Sequence, residues 1–222
     1  MATLNRMSVQ ESGPNPEMRL NPTKRIATLC GLLLGVMLAA AAANAQEMVF
    51  QLDPVQSHVS FTLGDILHTV HGSFQLKSGS IRFNAATGEA SGSLVVDATS
   101  GKSGNKNRDR RMHRQILEDQ TYPEIIFTPQ HVSGSLAPEG TSQMELQGLM
   151  TLHGQQHPMK VAMPVQVSHG QASADVHFVV PYVQWGLKNP STFILRVSDK
   201  VNIDVHAVGH LTQASLAETH QP

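Results

Sequence analysis

The chain has 222 residues, is 40% hydrophobic and only 15% charged, and carries a formal net charge of −1. That balance excludes the strongly basic surface of a nucleic-acid binder. A single cysteine, Cys30, excludes a disulfide-stapled scaffold.

Residues 1–45 read as a leader and a cleaved signal peptide. Lys24-Arg25 precedes an uncharged run from Ile26 to Ala43, which closes on Ala43-Asn44-Ala45. A basic flank, an apolar centre and small residues at the minus-three and minus-one positions mark a secretory signal. A membrane anchor is the alternative, since the run approaches the roughly 18 residues at which spanning begins. Its alanine-rich second half and its cleavage site argue against that. Cys30 follows Ala27-Thr28-Leu29 and lacks the small neighbours of a lipoprotein site. The polar stretch before Lys24 is long, which leaves Met1, Met7 or Met18 open as the start. Cleavage after Ala45 removes Cys30, four of the 16 basic residues and two of the 17 acidic ones, leaving 12 against 15. An exported domain without disulfides has to be held by burial and backbone pairing. The expected destination is the periplasm or the outside, with no stable membrane span after cleavage.

From Gln46 onward, strand periodicity dominates. SHVSFTL sets Val59, Phe61 and Leu63 on one face. MELQGLMTL aligns Met144, Leu146, Gly148, Met150 and Leu152, KVAMPVQV aligns Val161, Met163, Val165 and Val167, and KVNIDVHA aligns Val201, Ile203, Val205 and Ala207. Period-two alternation over this many segments means strands with one buried and one wet face. Turn residues punctuate them at 77–79, 84–88, 133–134, 153–154 and 169–170. No stretch after Gln46 sustains a helical apolar stripe, so the sheet must curl onto itself or split into two layers. Closure also removes exposed edges. The expectation is an all-β fold: a single antiparallel β-barrel of about eight strands, with one short helix between strands. A barrel of that size is filled by side chains or holds one ligand. The domain is expected over 46–211, with 212–222 a loose tail.

NRDRRMHRQILEDQTYPEIIF, residues 107–127, breaks the pattern by crowding Arg108, Asp109, Arg110, Arg111, Arg114, Glu118 and Asp119 together. Asn107 is placed to cap a short helix, with Asp109 in its first turn and Met112 and Ile116 on one face. Pro123 forces Tyr122 to be extended, which ends the helix and starts a strand around Ile125-Ile126-Phe127. The arginines must stay in water or find acidic partners. The segment is therefore either a solvated connector over one barrel end or the polar rim of a cavity mouth. Farther on, Trp185-Gly186 and Asn189-Pro190 read as a structured loop with an aromatic anchor, plugging or gating a barrel end.

Four sets of residues carry a resemblance. They are Asp53, Pro54, Ser57, Val59 and Phe61; His68, Val70, Gly72 and Phe74; Arg108 and Asp109 with Tyr122, Pro123, Ile125 and Phe127; and Gly148, Met150, Thr151, His153 and Gly154. In this order and spacing, over about residues 50–209, the chain resembles the YceI-like family of exported polyisoprenoid-binding proteins. The resemblance implies a lipocalin-like barrel whose interior holds a long isoprenoid chain, in some members an isoprenoid quinone. Asn84 stands where the family's hairpin usually has aspartate, and VPYVQWGLKNPSTFILRVSD is longer than the usual family ending.

The lipid-contact candidates on this reading are Phe61, Leu63, Phe74, Phe83, Phe127, Met150, Leu152, Phe178 and Trp185. Arg111 and His113 are candidate contacts to a ligand head group. No cofactor is required; the expected bound ligand is a long-chain polyisoprenoid or isoprenoid quinone, held without catalysis and without nucleic acid. A homodimer is left open. Alternation alone does not tell a lined tunnel from a filled core, so the alternative is an exported stress-protective or protein-interaction barrel with no lipid. Twelve histidines raise the question of metal. His68 and His71 point to opposite strand faces, His153 and His157 flank a turn, and His206 and His210 are too far apart along a strand to share an ion. No metal site is expected. No G-x-S-x-G elbow, H-E-x-x-H or phosphate loop occurs, and acids such as Asp65 and Asp109 lack a nearby second carboxylate on the same strand face, so no catalytic residue is assigned.

Overall fold

The computed structural model describes residues 47–64, 69–191 and 196–214. The expected leader and signal peptide, Asp65, His68 and residues 215–222 of the expected tail lie outside the described residues.

Nine strands occupy eight positions around a closed antiparallel barrel. β1 (Glu47–Leu52) and β2 (His58–Gly64) lie in series in one slot, each paired with both β3 (Thr69–Asn84) and β9 (Val201–Gln213). The remaining positions follow in chain order: β4 (Ala90–Lys102), β5 (Glu124–Gly134), β6 (Gly140–Leu152), β7 (Gln155–Ser168) and β8 (Gln171–Val180). β8 then pairs with β9 and closes the ring. The all-β barrel of about eight strands with a short helix is thus the architecture observed.

The interrupted slot has a local cause. Pro54 has no N–H to give a ladder, and the Asp53 carboxylate accepts from Val55 N (2.9 Å) and Gln56 N (3.2 Å), which folds the chain into a turn. Buried Ser57 then stitches the gap: its Oγ accepts from Val208 N (2.9 Å) and donates to Val208 O (3.1 Å). A side chain supplies the pairing that β9 would otherwise lose.

β3 has 16 residues, which at about 3.3 Å each make a strand of roughly 50 Å. Lys77-Ser78-Gly79, expected as a turn, is part of this strand. A register shift between Leu76 and Ser78 bends it there. Gly79 is required because a Cβ would sit 2.5 Å from a Leu94 methyl and 3.2 Å from Leu52 Cβ. Close approach, not turn geometry, explains it. At the C-terminal end, Thr212 and Gln213 are not tail: they pair with Val49 and Met48.

Between β4 and β5 lies the one helical excursion among the described residues. α1 (Lys106–Arg111) continues directly into a π-helical segment, Met112–Leu117. Its N-cap is Asn105, not Asn107, accepting from Asn107 N and Arg108 N. Asp109 folds back onto Ser103 N (2.8 Å) and Ser103 Oγ. The helix is ended by Glu118 in the left-handed region (φ 50°), before Pro123 can act. Met112 and Ile116 do pack together against the barrel, alongside buried Leu117.

Candidate functional site

The inward faces of the strands do not meet. They enclose a cavity of about 580 Å³, within the range of about 300–1,000 Å³ usual for ligand pockets. The expected alternation supplies its wall: Met144, Leu146, Met150 and Leu152 from β6, Met159, Val161, Met163 and Val165 from β7, and Val201, Ile203, Val205 and Ala207 from β9.

Phenylalanine placement explains why a hollow survives. Phe61 lies over its cross-strand partner Gly72, where an added Cβ would come within 2.2 Å of the ring. Phe127 lies over Gly148 (2.8 Å), Phe74 over Gly101 (2.6 Å) and Phe50 over Gly209 (2.6 Å). Each ring is laid against bare backbone along the wall, so it does not cross the axis. Small inward residues at Ala172, Ala174 and Ala207 add little bulk on β8 and β9.

Of the residues singled out from sequence, Phe61, Leu63, Phe74, Phe83, Phe127, Met150, Leu152 and Phe178 line this cavity. Trp185 does not. It stacks on His157, ring centroids 4.1 Å apart and planes at 1°, in the connection between β8 and β9. That connection still contributes to the wall, through Tyr182, Leu187, Pro190 and Val197. The Tyr182 hydroxyl donates to Ser198 O (2.6 Å) and so is spent within the connection. Burial, with Asp199 adding to it, pushes the Tyr182 phenol up to about 12. Burial also holds the His157 imidazole below its ordinary value, and its Nε2 is buried without a partner.

Polar lining gathers where β4 runs into α1. Ser103, Arg108 and Arg111 border the cavity there, and both arginines are solvent-exposed, so the cavity reaches the surface at this end. Arg108 donates to Ser103 Oγ (2.7 Å) and Ser103 O (2.6 Å), and Arg111 to Gln115 Oε1 (3.2 Å). These are neutral acceptors, and among the described residues no carboxylate lies within salt-bridge distance of either guanidinium.

His113, paired with Arg111 in the sequence reading, is used otherwise. Its Nδ1 lies 2.5 Å from Asp119 Oδ2 and its Nε2 lies 2.8 Å from Gly101 O. With these two contacts the ring latches the π-helical segment to β4. With both nitrogens engaged, it has nothing left for a head group. Arg108 takes its place beside Arg111. Sequence reasoning missed Arg108 because four arginines in one short run look alike until the helix is oriented. It missed Tyr182 and Leu187 because their connection has no periodicity.

α1 and the β8–β9 connection lie at the same barrel end. Lys188 Nζ donates to Glu118 Oε1 (2.9 Å), joining the two. This hydrogen bond, and to a lesser degree nearby His153, holds the Glu118 carboxyl below the usual carboxylate range. His153 Nε2 lies 3.3 Å from Glu118 Oε2, close enough for attraction but without a formed hydrogen bond. Two further His–Asp pairs, His177 with Asp204 and His206 with Asp175, both at 2.7 Å, lie on the outer wall. Among the described residues, no group of three or more potential ligands is arranged to hold a metal. No described helix is long and apolar enough to cross a membrane.

Comparison with known proteins follows this geometry. A family model described as a YceI-like domain matches residues 50–209. A UPF0312 protein of Pseudomonas savastanoi pv. phaseolicola is 28% identical over 139 residues, covering 60% of this chain and 70% of that protein. A UPF0312 protein of Vibrio cholerae serotype O1 is 26% identical over 132 residues, covering 58% and 68%. Among solved structures, Burkholderia cenocepacia BcnA superposes with a TM-score of 0.59 at 18% identity, over 71% of this chain and 99% of that one. A polyisoprenoid binding domain from Saccharophagus degradans, implicated in plant cell wall breakdown, gives 0.57 at 18% identity, over 73% and 98%. At these identities the structural likeness bears on the fold.

Proposed function

The chain belongs to the YceI-like family, and from that premise we propose that it is a non-catalytic binding protein that carries or sequesters a long-chain isoprenoid, a polyprenyl lipid or an isoprenoid quinone, inside the barrel. The observation that carries this reading is the apolar cavity, whose charged lining among the described residues is Arg108 and Arg111 at α1. Burying about 500 Å² of a prenyl chain in such a lining would gain on the order of 12 kcal/mol. Lost freedom and ordering offset a large part of that. What remains is enough for useful affinity without one strong hydrogen bond. Arg108 and Arg111 are placed to meet a polar head group while the tail lies among the Phe and Met side chains. Residues 46–211 form the binding domain in this reading, exported by the 1–45 leader to the periplasm or beyond.

A barrel with a packed core would leave no such volume, which counts against a purely structural or interaction role. Organic extraction of the purified protein followed by mass spectrometry is the test. A prenyl lipid or quinone recovered in near-stoichiometric amount is expected. Empty extracts, together with no uptake of an added isoprenoid quinone on reconstitution, would sink the reading.

A further inference from the structure

The charge crowded into residues 102–119 has more cations than the cavity mouth uses. All three carboxylates of this stretch are committed locally: Asp109 to Ser103, Asp119 to His113, and Glu118 to Lys188. Among the described residues, no carboxylate lies within salt-bridge distance of Arg108, Arg110, Arg111 or Arg114. The cations also sort by face. Met112 and Ile116 pack inward against the barrel, and Arg108 and Arg111 border the cavity. Lys106, Arg110 and Arg114, four residues apart, form a separate exposed row on the turns facing away from Met112. Lys102, Lys188, Arg196 and Lys200 are exposed at the same barrel end. Nine of the 12 basic residues after Ala45 therefore stand at the end where the cavity opens, in a domain that is acidic as a whole. The opposite end carries Glu47, Glu89 and Glu139.

We propose that the exposed Lys106–Arg110–Arg114 row docks the cavity mouth onto an anionic phospholipid bilayer. The inference rests on the carrier reading but reaches beyond it, to where cargo is exchanged. A prenyl tail moving through water exposes all the apolar area that the cavity is built to cover. Holding the mouth against a bilayer lets the tail pass from one apolar medium to another. An anionic surface is the occupant that fits, because it offers many mobile negative charges to a row of cations that none of the described carboxylates neutralises. Each Lys or Arg near such a surface strengthens attachment by roughly fivefold. The acidic far end is repelled, which orients the domain as it approaches.

The test is co-sedimentation of the full chain with vesicles of phosphatidylcholine alone, or of phosphatidylcholine and phosphatidylglycerol in equal parts. The wild type is expected to favour the anionic vesicles and to lose the preference at high salt. The triple variant Lys106→Gln, Arg110→Gln, Arg114→Gln should weaken binding to them by about a hundredfold. It should still take up an isoprenoid quinone added in detergent, since none of the three side chains borders the cavity. The charge-preserving variant Lys106→Arg, Arg110→Lys, Arg114→Lys should bind vesicles like the wild type. Equal binding to both vesicle types, or undiminished binding by the glutamine variant, overturns the proposal, and any attachment through the leader is common to every variant. Charge-dependent docking by a protein whose extracts are empty would uphold the surface and remove the cargo. A recovered prenyl lipid without vesicle preference would do the reverse.

Discussion

The β6–β7 hairpin and the α1 segment meet where His153 faces Glu118, yet they are built in different ways. The hairpin is an unbroken ladder from Gly140 opposite Val167 to Leu152 opposite Gln155, and its inward residues alternate without exception from Ser142 to Leu152. Every position repeats the same instruction, so no single residue decides the fold. The α1 segment hangs on three apolar side chains, one latch at His113 and one link from Glu118 to Lys188. The wall is specified by repetition, the cap by single directional bonds. A wall substitution should therefore act on the whole barrel, and a cap substitution on the cap alone.

The largest expected effect follows from crowding the wall. In Gly148→Val the new Cβ would meet Thr128 O at 2.3 Å and the Phe127 ring at 2.8 Å. Overpacking of this kind costs about 1–3 kcal/mol or more. Thermal denaturation should show one cooperative transition at lower temperature, and cargo recovery should fall as the Phe127 ring is pushed into the lumen. Unchanged melting and cargo would mean the rings are not held flat by glycine.

Next comes the latch. His113→Ala leaves the buried Asp119 carboxylate and the Gly101 carbonyl without their imidazole partner, a loss of about 1–3 kcal/mol. It should appear as fast amide exchange and proteolytic cutting within 103–122, with the melting of the strands little changed. If the whole barrel melted earlier instead, the separation between wall and cap would fail.

This division also marks what was legible before any coordinates. The wall could be read because alternation on β6, β7 and β9 repeats one physical fact many times, and eight of the nine candidate lipid contacts lie on barrel strands, in β2, β3, β5, β6 and β8. Trp185 and His113 were misplaced because their roles depend on one partner each, His157 for the first and Asp119 with Gly101 for the second, distant or unmarked in sequence. The cap at Asn105 and the stop at Glu118 were missed for a related reason. A neighbouring Asn and a conspicuous Pro123 offered signals of the same kind, and only the backbone path chooses between them. Lys77-Ser78-Gly79 has turn composition, but a side chain at 79 would crowd both Leu94 and Leu52, which accounts for a glycine inside a strand.

A smaller effect tests the stacked pair. Burial holds the His157 imidazole below the usual 6.5, so the folded state favours the neutral ring. Above that value the ring is neutral folded or unfolded, and its packing is kept in full. As pH falls below 6.5 and through the lowered folded value, protonation opposes burial and the packing is lost. Trp185 is the sole tryptophan, so its emission should change with a midpoint below 6.5, and His157→Gln should abolish that step. A midpoint above 6.5 would contradict burial as the cause.

The smallest effect compares two ion pairs of similar length. Lys160 Nζ lies 2.8 Å from Glu145 Oε1 on the wall, and Lys188 Nζ lies 2.9 Å from Glu118 Oε1 at the cap. Both lysines are well exposed, so each pair is worth little by itself. On the wall that contribution is diluted across the β6–β7 ladder, and Lys160→Gln should leave melting and exchange unchanged. At the cap, the same chemistry joins the end of the π-helical segment to the β8–β9 connection. Lys188→Gln should therefore speed amide exchange in both pieces severalfold while the strands stay protected. Acid should mimic it: the lowered Glu118 carboxyl gives stability that is present above the usual 4.5 and lost as pH falls through its folded value. If the two lysine variants behave alike, the cap is an extension of the wall, and the opening at Arg108 and Arg111 is a fixed rim with no local freedom to admit a ligand.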